Sequence, residues 1–277
     1  SLEGLLDGST QSLQDGRGLS GDGHDRSHRA MLARSCSASP SSRCYRRSAI
    51  FRSVPTAQPP LGRSRQPIRR VIVRDLVRRF AGTVALRGVN ASFEAGEIVS
   101  IEGPNGSGKS TLLGVLGTVL TPSSGEVLYE PGGRSRQELR QEIGWVSHET
   151  LAYPDLSARQ NVELAAALHG LDPKEAWERA SHRFHLGAFA QRPLRTYSRG
   201  QRQRTALAKA LVHAPSLLLL DEPTAGLDRD GLDRLLEVLR QEAGRQAIVL
   251  VVTHDVELIG QVATRRLRLE RGRVVAG

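Results

Sequence analysis

An α/β fold with a parallel sheet is what this sequence predicts, and three stretches carry the prediction. Glu97-Ile98-Val99-Ser100-Ile101 reads as a strand and leads into Gly103-Pro104-Asn105-Gly106-Ser107-Gly108-Lys109-Ser110-Thr111, a glycine-rich turn that opens a helix. Leu217-Leu218-Leu219-Leu220 reads as a fully buried parallel strand, closed by Asp221 and Glu222. Ala247-Ile248-Val249-Leu250-Val251-Val252 is a third buried strand, followed by Thr253-His254-Asp255. Turn and acids both follow the carboxyl ends of strands, the edge at which open α/β sheets hold their ligands.

The turn fits the phosphate-binding pattern G-x-x-x-x-G-K-[ST]. Its glycines let backbone N–H groups curl around phosphates, and Lys109 adds positive charge for the β and γ oxygens. The Ser110 hydroxyl can ligate Mg²⁺, and the helix that follows points its positive end at the same anion. Gly103 through Thr111, each as quoted, are therefore the candidate ATP-binding residues. Asp221, at the end of its strand, is the second candidate Mg²⁺ ligand.

Nearer the N-terminus, residues 70–74 and 84–93 group their apolar positions as short strands do, with Phe80 in the turn between them. Ile143-Gly144-Trp145-Val146 is a further strand, followed by Ser147-His148-Glu149. Residues 156–199 form a helical segment. Ser157 and Gln160 stand in the relation of a capping box before Val162, Leu164 and Leu168, and Pro173 opens a second helix through Trp177. Trp177 and Leu164 are expected in the core. Ser198 and Gly200 begin a helix over 201–213, ended by Pro215, with Leu207 and Leu211 facing inward.

The net charge of +10 is distributed so as to argue against a nucleic-acid partner. Residues 1–66 hold ten arginines against five acids, half of the excess, and no basic stripe interleaved with aromatics accompanies the charge. This stretch lacks periodicity and is rich in Gly, Ser, Arg and Pro, so it is expected to be disordered. A misassigned start and a transit peptide beginning near Met31 are alternative readings of it. Only Lys109, Lys174 and Lys209 are lysines, so the lysine in the phosphate turn stands out as chemically required. Cys36 and Cys44 have neither C-x-x-C spacing nor nearby histidines to complete a metal site. No apolar run reaches the roughly 18 residues of a membrane span.

The turn at Gly103, the run Tyr197-Ser198-Arg199-Gly200-Gln201, the acids Asp221 and Glu222, Ala225-Gly226-Leu227-Asp228 and His254 occur in a fixed order. In that order and spacing, over about residues 68–277, the sequence resembles the ATP-binding subunit of ABC transporters, with Walker A, signature, Walker B, D-loop and switch histidine. The resemblance implies a P-loop NTPase ABC ATPase domain over 67–277, with an antiparallel β part and a helical signature subdomain at about 150–199. It implies that Phe80 stacks on adenine. It also implies a head-to-tail dimer, in which Ser198, Arg199, Gly200 and Gln201 close on the ATP held by the other subunit. Catalytic roles fall to Lys109, to Glu222 polarising water and to His254 contacting the γ-phosphate, while Asp228 communicates across the dimer. The partners implied are integral membrane permease subunits that handle the cargo, so this chain does not touch it and works at the cytoplasmic face of the membrane.

Three positions depart from that pattern: His148 where the family carries a glutamine linking Mg²⁺ to the transporter, Tyr197 for leucine and Arg199 for the second glycine. With the short domain, these departures resemble the ATP-binding subunit of the cytochrome c maturation exporter, the haem exporter. Short exporters for drugs, polysaccharide or lipid share the same Walker motifs. Non-transport ABC ATPases usually carry two ATPase units or a coiled-coil insertion. In the transporter reading, the surface around 149–161 receives a short helix of the membrane subunit, and His182 and His185 are surface or core residues rather than haem ligands.

Overall fold

The computed structural model describes residues 66–147 and 152–275, so the expectations for the N-terminal tail and for His148 lie outside the described residues. Strands β1 (Arg70–Phe80) and β2 (Thr83–Glu94) form an antiparallel hairpin closed by Ala81-Gly82. β1 runs further than its apolar pattern predicts, because the alternation breaks at a bulge. Asp75 takes φ 45°, and the register shifts between Val73 and Leu76. Asn90 holds the bulge from β2: its Oδ1 accepts from Asp75 N–H at 2.9 Å and its Nδ2 donates to Asp75 Oδ1 at 2.9 Å. Phe80 consequently ends a strand, opposite Thr83, instead of lying in the turn.

Strand β3 (Ile98–Glu102) leads through the glycine-rich turn to α1 (Lys109–Leu116). β4 (Ser124–Glu130) returns along β1 and completes a three-stranded sheet in the order β2-β1-β4. The short α2 (Arg136–Arg140) starts at a Ser135–Glu138 capping box, and β5 (Ile143–Val146) matches its predicted span. Helices α3 (Ala158–Leu168) and α4 (Pro173–Phe184) follow. Ser157 and Gln160 form the predicted capping box of α3, while Asp172 caps α4 with Pro173 in its first turn. Trp177 is buried and Leu164 partly so, whereas Leu168, the last residue of α3, is 75% exposed.

Helix α5 (Arg199–Leu211) begins two residues earlier than predicted, because Ser198 is its N-cap and Gln201 completes a capping box. It also ends two residues earlier. Ala214 precedes Pro215, which disfavours helical geometry, and it takes φ 52°. Next come β6 (Leu217–Asp221), α6 (Arg229–Gly244), β7 (Ile248–Val252), α7 (Val256–Gly260), β8 (Arg265–Glu270) and β9 (Arg273–Val275). The second sheet has the order β5-β6-β7-β3-β8-β9, parallel except for β9.

The two-residue period of a strand divides β6 and β7 between two cores. Leu217 and Leu219 with Ile248, Leu250 and Val252 pack against Leu112 and Leu113 of α1 and against Val71, Leu76 and Phe93 of the antiparallel sheet. Leu218 and Leu220 with Val249 and Val251 pack against Leu207 and Leu211 of α5, Leu235 and Leu239 of α6, and Trp177. Burying each such leucine is worth about 1.5–3 kcal/mol, so the central strands are pinned from both sides. Among the described residues no helix is long and apolar enough to cross a membrane.

Candidate functional site

Between β3 and α1 the chain doubles back under close backbone contact. Gly103 has φ 142°, and a Cβ there would lie 2.0 Å from the carbonyl oxygen of Leu269 on β8, so only glycine fits. Ser107 C=O accepts from Gly272 N–H at 3.0 Å, and Gly272 C=O accepts from Arg87 N–H at 2.8 Å. The β8–β9 turn thus braces the loop against β2. Gly108 caps α1, and Lys109, buried, donates from Nζ to the carbonyls of Gly103 and Pro104 at 2.8 and 2.9 Å. An ammonium has three hydrogens, so one is left for an anion in the loop. The buried Ser107 hydroxyl has no hydrogen-bond partner among the described residues. Free donors at the mouth of an α-helix fit phosphate oxygens.

The acids arrive from the neighbouring strands. Asp221 ends β6, and Glu222 follows with φ 53°, a conformation that costs a non-glycine residue about 1–3 kcal/mol and is typical of functional sites. Glu222 N–H donates to Val252 C=O at 2.8 Å, which locks the turn to β7. Its carboxylate meets His254 twice: Oε2 accepts from the backbone N–H at 3.3 Å, and Oε1 lies 3.3 Å from Nε2. The carboxylate is largely shielded while the His254 ring is mostly exposed, so the ring is free to swing toward a ligand and the acid is not. Below them the hydroxyls of Thr224 and Thr253 bond at 3.1 Å.

A cavity of about 790 Å³ gathers these groups. Asn105, Gly106, Gly108, Lys109, Ser110 and Thr111 line one part of it, Asp221, Glu222 and His254 another, and Phe80 a third. Gly103, Pro104 and Ser107 shape the loop behind this lining. The hydroxyl of Ser110 with the carboxylate of Asp221 is a hard-oxygen donor set suited to Mg²⁺ that keeps phosphate and water ligands. The sequence reading missed Trp145, which also lines the cavity. Its indole lies against the C-terminal end of α1, where a Cβ on the capping Gly117 would come 2.7 Å from the ring. The only signal for it was its place in the strand just before Ser147-His148.

Ser198, Arg199, Gly200 and Gln201 lie outside this cavity, at the N-terminus of α5. Gly200 is pressed against the D-loop, since a Cβ there would lie 2.4 Å from Gly226 C=O. Two further residues of α5 grip the same segment. Gln203 Nε2 donates to the carbonyls of Glu222 and Pro223 at 3.3 and 3.1 Å, and Arg204 Nη2 reaches both oxygens of Asp228 at 2.6 and 2.8 Å. Asp228 also caps α6 by accepting from Gly231 N–H at 3.0 Å. The Arg204 hydrogen bond, aided by the Gly231 N–H, holds the Asp228 carboxyl below the usual carboxylate range. Asp228, read from the sequence as a contact across a dimer, is in this chain the joint between α5 and α6. Of the positions that depart from the family pattern, Tyr197 and Arg199 are placed and His148 lies outside the described residues.

The family model described as ABC transporter matches residues 86–225. Daunorubicin resistance ATP-binding protein DrrA3 of Streptomyces coeruleorubidus is 35% identical over 206 residues, covering 72% of this chain and 65% of that protein. The chain therefore spans just under two thirds of this relative. Putative hemin import ATP-binding protein HrtA of Staphylococcus aureus is 32% identical over 219 residues, covering 74% of this chain and 98% of that protein. The dimeric post-hydrolysis structure of the ATP-binding cassette MJ0796 bound to ADP and Pi superposes with a TM-score of 0.67 at 29% identity. That superposition covers 74% of this chain and 97% of the cassette. Motif order, sheet topology and these likenesses agree: the chain belongs to the ABC transporter family, as an ATP-binding subunit with the ABC ATPase fold.

Proposed function

We propose that this chain hydrolyses ATP in a head-to-tail pair of ATPase subunits and thereby drives a separate membrane permease of an exporter, from the cytoplasmic face of the membrane. The observation that carries the reading is the placement of Glu222, a shielded carboxylate in the same cavity as Lys109 and against an exposed His254. Phosphoryl transfer asks a protein for position and charge more than for covalent chemistry. Lys109 draws the β and γ oxygens into the loop, and Phe80 receives the adenine ring on its face. Mg²⁺, held by Ser110 and Asp221, supplies charge neutralisation at the phosphates. Glu222 polarises the attacking water, and His254 leaves its contact with Glu222 to meet the γ-phosphate. Ser198 and Gly200, at the positive end of α5, serve the nucleotide of the other subunit.

Replacing the carboxylate while keeping its shape tests this assignment. A Glu222→Gln variant is expected to bind ATP as the wild type does and to hydrolyse it at least about a hundredfold more slowly. Turnover within a few-fold of wild type would refute the role of Glu222.

For the cargo we infer haem, with the permease of cytochrome c maturation as partner, on the joint occurrence of Ser147-His148-Glu149 and Tyr197-Ser198-Arg199-Gly200. His148 then stands at the coupling position between ATP and permease, and the cargo itself does not touch this chain. The tagged Glu222→Gln protein, held in ATP and purified from membranes of its host, is expected to bring down the small multispanning subunits of cytochrome c maturation. A permease of another kind would replace the cargo and keep the ATPase mechanism. Ribosomes or DNA factors without membrane proteins would overturn the transporter reading.

A further inference from the structure

We infer that Arg78 is a positioning residue for the nucleotide base: its guanidinium backs the Phe80 ring and leaves the opposite face of that ring for adenine. The inference rests on the reading of Phe80 as the adenine platform. Phe80 ends β1 at 43% exposure, where a phenyl ring with few neighbours would rotate about χ1 and χ2. The Arg78 guanidinium carbon lies 4.6 Å from the ring centroid, within cation–π range. The two residues stand two apart at the end of β1, where the register with β2 shifts between Arg78 and Arg79.

Arg78 is itself tethered. Its Nη1 donates to Thr121 C=O at 2.8 Å, in the segment that joins α1 to β4. Its Nε is buried and has no hydrogen-bond partner among the described residues, as suits a guanidinium held flat against a ring. Phe80 lines the cavity and Arg78 does not. The arrangement is therefore a stack of two layers, with the cation behind and the cavity in front. An aromatic fixed in advance loses less conformational freedom when a purine docks on it, and the affinity gained is specific to the base.

The test is calorimetric titration of the full chain with MgATP and, separately, with inorganic tripolyphosphate. Arg78→Gln is expected to weaken ATP binding about threefold to tenfold while leaving tripolyphosphate within about twofold. Arg78→Lys, which keeps a cation over the ring, is expected to recover part of the loss. In a Phe80→Ala background, Arg78→Gln is expected to add nothing. Equal losses for ATP and tripolyphosphate would make Arg78 a long-range charge, and an undiminished loss in the Phe80→Ala background would make it a structural tie to Thr121. Either result overturns the inference, as does unchanged ATP binding in Arg78→Gln when Phe80→Ala binds weakly. Unchanged ATP binding in Phe80→Ala would overturn the platform reading itself, and the inference with it.

Discussion

Tyr197 stands where the family pattern carries leucine, and its hydroxyl accounts for the exchange. The ring is buried edge-on against Phe189, with centroids 5.0 Å apart at 80°. The hydroxyl donates to Phe189 C=O at 2.7 Å and accepts from Ala158 N–H at 3.1 Å, one of the N–H groups that the first turn of α3 cannot satisfy itself. Burial raises its pKa above the ordinary phenol value, against the opposing pull of the Ala158 N–H and of Arg192, and so keeps it protonated. Tyr197→Phe keeps the packing and strands both partners, so it is expected to cost about 1–3 kcal/mol in a denaturant titration, with nucleotide affinity unchanged. A loss below about 0.5 kcal/mol would show that water replaces the hydroxyl without cost. At this scale the motif residues were legible because phosphate chemistry fixes both their types and their spacing. Arg78, Asn90 and Trp145 were not, since each acts through a partner distant in sequence: the Thr121 carbonyl, the Asp75 bulge and Gly117.

Among the elements, α5 has the most consequential position. Its N-terminus carries Ser198 and Gly200, and its next turn grips Glu222, Pro223 and Asp228 through Gln203 and Arg204. Whatever moves the N-terminus of α5 therefore pulls on the backbone of Glu222, the residue proposed to polarise the attacking water. The sequence reading placed α5 within two residues, since its cap and the proline beyond it are strong boundary signals. Strands β3, β5, β6 and β7 were equally plain, because burial on both faces leaves uniform apolar runs. β1 was cut short at Asp75, where a bulge breaks the alternation without ending the strand. The five-residue α2 is too short to show a helical period. β8 hides its role behind exposed arginines, although Leu267 and Leu269 alternate into the core and its end braces the phosphate loop.

On the scale of the whole molecule, the arrangement explains why one chain cannot be the working unit of the proposed machine. The cavity holds the phosphate loop, the acids, His254 and Phe80, but the signature residues on α5 contribute nothing to its lining. A γ-phosphate in this cavity would thus lack the helix terminus that the signature provides, and a second copy related by two-fold symmetry would supply it at both sites at once. The most direct measurement is the mass of the Glu222→Gln protein by light scattering, with and without MgATP. The account predicts one chain without nucleotide, twice that mass with saturating MgATP, and no doubling when Ser198 is also replaced by Arg. A single-chain mass at saturating MgATP, in a preparation that demonstrably binds ATP, would contradict it.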